Sequence, residues 1–175
     1  ENFKNVENII TDFSKNYEQM ELDPFNLKEL YSEWFAAATK NPQKLAQVNV
    51  EFWQKAMNLY QQSAMGFLGI NADPVIEEAR GDRRFHHEDW ANEPIFNCIK
   101  QSYLLVSQWT RNHVADVEGL DAHTAEKVKF FTERYLDAMS PTNFAATNPA
   151  VLQKIMETKG GSLVHGLKNM LQDLE

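Results

Sequence analysis

The chain has 175 residues, 43% of them apolar, with 11 Phe, 4 Trp and 5 Tyr and a net charge of −8. That is long enough for one ordinary domain with its own core, and too apolar for bulk disorder. The acidic balance argues against nucleic acid and against docking on anionic lipid, and a single Cys excludes an intrachain disulfide or a Cys-based metal cluster and suits the cytosol.

Residues 2–20 read as an amphipathic helix, because Phe3, Val6, Ile10, Phe13, Tyr17 and Met20 are spaced 3, 4, 3, 4, 3. Pro24 ends it. Asn26 with Glu29 reads as a capping box for a second helix that buries Leu27, Leu30, Tyr31, Trp34 and Ala38. Asn41-Pro42 reads as a cap with Pro at the first helical position, opening a third helix that runs to about Gly66. This helix carries two apolar rows. Leu45, Val48, Phe52, Ala56 and Leu59 make one; Val50, Trp53, Met57, Tyr60, Ala64 and Phe67 make the other. One packing contact needs only one stripe. The second row, with Trp53, Met57 and Tyr60, is therefore a candidate interface.

Residues 66–94 hold Gly66, Gly69, Pro74, Gly81 and Pro94 among scattered charges, and read as a linker with a short turn near 74–79. From Pro94 a long helix should place Phe96, Ile99, Tyr103, Val106, Thr110, His113 and Val117 on one face and stop at Gly119. Asp121 caps the next helix, which should bury Val128, Phe131, Tyr135 and Met139 and end before Pro141. Residues 140–148 read as an ordered turn-rich loop, with Asn143 satisfying backbone groups and Phe144 filling a pocket. Asn148-Pro149 opens a short helix that Gly160-Gly161 closes, and Ser162 caps a last helix with Leu163, Leu167, Met170 and Leu174. No segment alternates as a strand would. The expected fold is all-α, a bundle of about six to seven helices with a linker near 66–94. The expected organisation is a front section at 1–67, a linker at 68–94 and a second helical section at 95–175. No apolar run approaches the ~18 residues of a membrane span and no signal-peptide pattern opens the chain, so no membrane span is expected.

Two stretches stand out. One is Asp82-Arg83-Arg84-Phe85, followed by Trp90, Pro94 and Lys100-Gln101-Ser102-Tyr103-Leu104-Leu105. The other is Asp137-Ala138-Met139-Ser140-Pro141-Thr142-Asn143-Phe144, continuing through Thr147-Asn148-Pro149 to Gly160-Gly161-Ser162-Leu163. In order and spacing they resemble the amino-terminal region of class I polyhydroxyalkanoate synthases, from about Asp82 to the last residue. The resemblance implies a cytoplasmic acyltransferase at polyester granules that joins (R)-3-hydroxyacyl groups from coenzyme A thioesters. It implies a Cys nucleophile in a Gly-x-Cys-x-Gly elbow on a later α/β-hydrolase domain, with this region supporting dimerisation, granule contact and docking of that domain.

The chemistry visible in this chain is sparse. Cys98 has no flanking Gly and sits inside a helix, so it reads as a packed residue with no catalytic role. His86-His87-Glu88-Asp89 lacks the spacing of three or four that helical zinc ligands prefer, and reads as a polar turn before Trp90. His113 on an apolar stripe reads as a hydrogen-bonded core residue. No catalytic residue, cofactor site or metal site is assigned. Arg83 and Arg84 could hold coenzyme A phosphates, but an ion pair with Asp82 or with a carboxylate of the later domain is the favoured reading. Arg83, Arg84, Phe85, Trp90, Asn143 and Phe144 are the expected anchors toward that domain. As anchors, truncation of Arg84 or Phe85 should leave the stability of this module little changed. The front helices also resemble, loosely, the granule-coating phasins. A homodimer, a phasin-like partner or the polyester surface are the partners expected there, and a stand-alone phasin-like coat protein or helical adaptor is the alternative for the chain as a whole.

Overall fold

The structure, a computed structural model, describes residues 23–70, 73–158, 160, 161, 169 and 172. The helix expected over 2–20 and most of the one expected from Ser162 lie outside the described residues. In chain order the described elements are α1 (Leu27–Ala38), α2 (Pro42–Phe67), α3 (Asp89–Asn92), α4 (Pro94–Val114), α5 (Ala122–Ala138), a 3-10 turn (Pro141–Asn143) and α6 (Pro149–Glu157). No strand occurs among the described residues, and the fold is all-α.

Three helix starts follow from their cap residues. Asn41 accepts from the Lys44 N–H at 3.0 Å, with Pro42 in the first turn. Asp121 accepts from the N–H groups of His123 and Thr124, and Asn148 from those of Ala150 and Val151. Each supplies an acceptor to donors that a first helical turn leaves open. The start of α1 differs from the expected capping box. Asn26 has a left-handed backbone, φ 51°, and its side chain makes no cap bond. The carboxylate of Asp23 instead accepts from the N–H groups of Leu27 and Lys28 at 2.6 and 2.8 Å. A tight turn, closed by the Asn26 N–H to the Asp23 carbonyl at 3.1 Å, brings that carboxylate over the positive helix end.

Helix α4 is central. It packs along α2, against the short α3 and against α5, while α1 packs on α5. The α2–α4 pair is antiparallel: Lys44 lies beside Ala115, Asn49 beside Trp109 and Lys55 beside Gln108. Helix α4 stops at Val114, before the Gly119 marked in the sequence. The two carbonyls just past its end are held from α2. Lys44 Nζ donates to the carbonyl oxygens of Ala115 and Asp116, both at 2.8 Å, where Asp116 takes a positive φ of 50°. A cation at the negative end of a helix is stabilising.

The main buried cluster is Leu59, Ile76, Phe85, Trp90, Leu104 and Leu105. Three of these six come from the stretch expected as a linker, so that stretch is packed between α2 and α4. Gln101, only 2% exposed, holds it: its amide accepts from the Ile76 N–H and donates to the Ile76 carbonyl, both at 2.9 Å. Lys100, also buried, donates to Glu78 at 2.8 Å. These polar groups take interior positions, and the buried face of α4 is Lys100, Gln101, Leu104, Leu105 and Ser107, with Val106 outside. On α5 the buried row is Val128, Thr132 and Leu136, so Tyr135 and Met139 are exposed. Thr132 can be inside because its hydroxyl is hydrogen-bonded to Tyr31 Oη at 2.9 Å.

Trp90, 1% exposed, meets Phe85 edge-on at 5.0 Å and Phe96 at 5.8 Å. Trp90→Ala should therefore cost about 3–5 kcal/mol, read as a lowered urea midpoint. A variant as stable as the parent would show that the cluster is not the core.

Candidate functional site

The two motif stretches meet through Arg84. Its Nε donates to both carboxylate oxygens of Asp82 at 3.0 and 3.2 Å, and its Nη2 donates to Asp82 at 2.7 Å. Its backbone N–H donates to the same carboxylate at 3.0 Å. Nη1 donates to the Tyr103 hydroxyl at 2.8 Å and reaches Asp137 at 3.4 Å. The Tyr103 hydroxyl in turn donates to the Leu136 carbonyl at 2.9 Å, near the end of α5. The guanidinium also lies 5.8 and 5.4 Å from the ring centres of Phe85 and Tyr103.

The second stretch closes on the same helix end. Asn143 Nδ2 donates to the carbonyls of Asp137 and Ala138 at 2.8 and 3.1 Å, as expected of a residue that satisfies backbone groups. The Thr147 hydroxyl donates to the Pro141 carbonyl at 2.6 Å, and Asn148 Nδ2 to the Thr142 carbonyl at 2.7 Å. Ser140 and Pro141 are buried beneath this loop. The network has a clear electrostatic signature. Hydrogen bonds from Arg84 hold the Asp82 carboxyl below the usual carboxylate range, against the opposing effect of burial. Hydrogen bonds from Arg111 do the same for Glu133, with Arg111 Nε at 2.8 Å.

The expected anchors divide into two sets. Phe85, 6% exposed, and Trp90 lie in the interior, and all three guanidinium nitrogens of Arg84 have partners within the chain. This corrects the expectation for truncation: removing Phe85 or Arg84 disturbs this module itself. Arg83, Asn143 and Phe144 are exposed. Phe144 lies at the surface and does not fill a pocket among the described residues. On α2 the second apolar row is open to solvent, with Trp53, Met57 and Tyr60 at 69, 59 and 74% exposure, flanked by exposed Val50 and Phe67. These five positions are spaced as one helical face.

The cysteine and two of the histidines singled out in the sequence sit in local structural settings. Cys98 is a half-buried free thiol in α4. His87 Nδ1 accepts from the Asp89 N–H at 3.3 Å and its Nε2 pairs with Gln153 at 3.0 Å, so the ring ties α3 to α6. His113 Nδ1 donates to the Trp109 carbonyl at 3.0 Å. One feature was not legible in the sequence: an open apolar groove of about 620 Å³ between α1, α4 and α5, walled by Phe25, Tyr31, Trp34, Trp109, Phe131 and Tyr135.

The geometry defines an all-α module whose two motif stretches lock onto one helix end. The poly-beta-hydroxybutyrate polymerase N-terminus is the family whose model matches residues 81–175, and the chain belongs to that family. The match begins where the motif stretches begin. The chain is 38% identical over 136 residues to a poly(3-hydroxyalkanoate) polymerase of Methylorubrum extorquens, covering 78% of this chain and 22% of that protein. It is 30% identical over 134 residues to a poly(3-hydroxyalkanoate) polymerase subunit of Rhizobium meliloti, covering 77% and 22%. It is 32% identical over 136 residues to one of Cupriavidus necator, covering 76% and 21%. The chain thus spans about a fifth of the length of these curated relatives. No solved structure matches it. No helix among the described residues is long and apolar enough to cross a membrane.

The sign of the Asp82 effect gives a test. A carboxyl whose pKa is lower folded than unfolded contributes stability that is present above the unfolded value and lost as pH falls through the folded one. Stability should thus decline as pH drops below about 4. Asp82→Asn should flatten part of that decline, with Glu133 accounting for more of it, in thermal unfolding followed by circular dichroism. An unchanged acid limb would show that the fork makes no contribution to acid sensitivity.

Proposed function

We propose that this chain is the non-catalytic amino-terminal part of a polyhydroxyalkanoate polymerase. The whole protein would polymerise (R)-3-hydroxyacyl-coenzyme A into polyester with release of coenzyme A, in the cytoplasm at polyester granules. The family membership and the fifth of each relative's length that the chain spans support this reading. In it, the chain contributes surfaces and another domain contributes the chemistry.

Two surfaces carry the role. The single observation that weighs most is the exposed row Trp53, Met57 and Tyr60 on α2. A long helix with one row packed and an aromatic row open suits self-association into a homodimer, or contact with a phasin-like protein or the polyester surface. The second surface is made by Arg83 on one segment and Asn143 and Phe144 on another, which Arg84 links through Asp137, with Phe85 and Trp90 packed in the core beside Arg84; it suits docking of the catalytic α/β-hydrolase domain. The front section, the 68–94 segment and the 95–175 section then have separate tasks, with residues 1–67 facing partners and 95–175 facing the catalytic domain.

Trp53→Glu combined with Tyr60→Glu should keep the far-ultraviolet circular dichroism of the parent and lose association or granule binding. Aromatic anchors typically cost about 2 kcal/mol or more when truncated, so the loss should exceed about tenfold. Sedimentation gives the readout. Loss of helicity together with association would mean that the row is core, and the surface reading would fall.

The chain by itself should release no coenzyme A from 3-hydroxybutyryl-coenzyme A, followed as free thiol. Turnover that vanishes in Cys98→Ala would overturn the non-catalytic assignment.

A further inference from the structure

The solvent face of α2 has two properties beyond its apolar character. The first is a lack of charge. In a chain that is 24% charged, the 26 residues of α2 hold only Lys44, Glu51 and Lys55, and no residue from Ala56 to Ile70 is charged. Lys44 and Lys55 reach away from the open face, to the Ala115 and Asp116 carbonyls and to Gln108. Glu51 lies at the edge of the face and accepts from Gln47 at 3.0 Å. Between the apolar side chains stand exposed Gln54, Asn58 and Gln61, whose amides both donate and accept.

The second property is order. The row Val50, Trp53, Met57, Tyr60, Ala64, Phe67 has spacings of 3, 4, 3, 4, 3, which read the same from either end. Laid against its own reverse, the row sets Val50 level with Phe67, Trp53 with Ala64 and Met57 with Tyr60. The bulkiest side chain of the row then faces the smallest.

We propose that the occupant of this face is a second copy of the chain, with α2 antiparallel to the partner's α2 about a two-fold axis between Met57 and Tyr60. The inference rests on the reading of the row as an association surface and selects one of the occupants named above. A closed two-fold contact repeats each residue pair in both senses, and a row that is its own reverse meets that requirement. Alternating spacings of three and four are also those by which neighbouring helices of a bundle interdigitate.

Charge favours a second copy. Two chains at −8 each repel, and this face lets them approach without setting like charges together. The register puts the two Glu51 positions ~22 Å apart along the helix axes, well beyond the screening length of about 8 Å at physiological salt. A charged partner would find little on this face to pair with. The area is also of the right order. Trp53, Tyr60 and Phe67 are each more than half exposed. At roughly 150 Å² apiece they supply over half of the ~800 Å² per partner that a specific interface uses.

Sedimentation equilibrium of the full chain tests the register. The parent should show a concentration-dependent equilibrium between monomer and dimer. Ala64→Trp sets a Trp against the partner's Trp53, twice per dimer, and should weaken dimerisation by about tenfold or more. Trp53→Ala combined with Ala64→Trp exchanges the large and small positions and should bring dimerisation back to within about threefold of the parent. Far-ultraviolet circular dichroism should be unchanged in both variants, because both positions are exposed. A parent that stays monomeric, a dimer indifferent to Ala64→Trp, or a double variant no better than the single one would each overturn the pairing. Helicity lost in Ala64→Trp would do the same, since Ala64 would then be packed within the chain. A monomeric parent that binds granules, and loses them on Trp53→Glu with Tyr60→Glu, would sink the second copy and leave the association-surface reading standing.

Discussion

The arrangement depends on where Arg84 spends its guanidinium. One side chain joins the turn before it, through Asp82, to α4, through Tyr103, and to the end of α5, through Asp137. These three pieces come from separate parts of the chain, and the Tyr103 hydroxyl, bonded to both Arg84 and the Leu136 carbonyl, completes the link. Asp82 is nearly buried while Arg84 is partly open. In such a pair the attraction roughly offsets desolvation, whereas loss of either partner strands a charge. The fork therefore acts more as a fixture of geometry than as a source of stability. Arginine suits this place because its planar fork binds both oxygens of a carboxylate and leaves an N–H for a third partner.

The same logic runs through Gln101 and Lys100. They occupy interior positions of α4, where an apolar residue would be the usual choice. Each trades that choice for a bond to the irregular segment beside it. A segment without helix or strand must satisfy its backbone from elsewhere, and Gln101 satisfies both polar groups of Ile76. This lets three apolar side chains without helical periodicity join the core.

How much of this could be read from the sequence depends on the range of the interaction. Caps at Asn41, Asp121 and Asn148 are local, and they act as their residue types suggest. The capping role of Asp23 hinged on the backbone angle of Asn26, which residue type alone does not set. The two rows of α2 were legible as a count of stripes, and the structure covers one and leaves the other open. Residues 68–94 resembled a linker because Gly, Pro and charge dominate there, while Ile76, Phe85 and Trp90 follow no period. On α5 the pattern pointed to Tyr135 and the structure buried Thr132, because a hydroxyl paired with Tyr31 can enter a core that periodicity reserves for apolar groups. The motif stretches were visible as stretches, but their meeting at Arg84 spans 53 residues of sequence between Arg84 and Asp137. The groove was hidden for a different reason: it exists where helices fail to fill space, and no residue marks that.

The lysine at the end of α4 has a consequence for how the protein is made. Lys44 sits in the first turn of α2 and holds the two carbonyls just past the end of α4, 71 and 72 positions later. The two helices are antiparallel partners separated by the whole intervening segment. During synthesis α2 emerges first, with the row from Leu45 to Leu59 facing water until Val114 has left the ribosome. The family match starts at residue 81, yet the surface against which its longest helix packs is translated before it. On that order of synthesis α2 would serve as a template onto which the motif-bearing part condenses, open in the interval to the chaperones that attend growing chains.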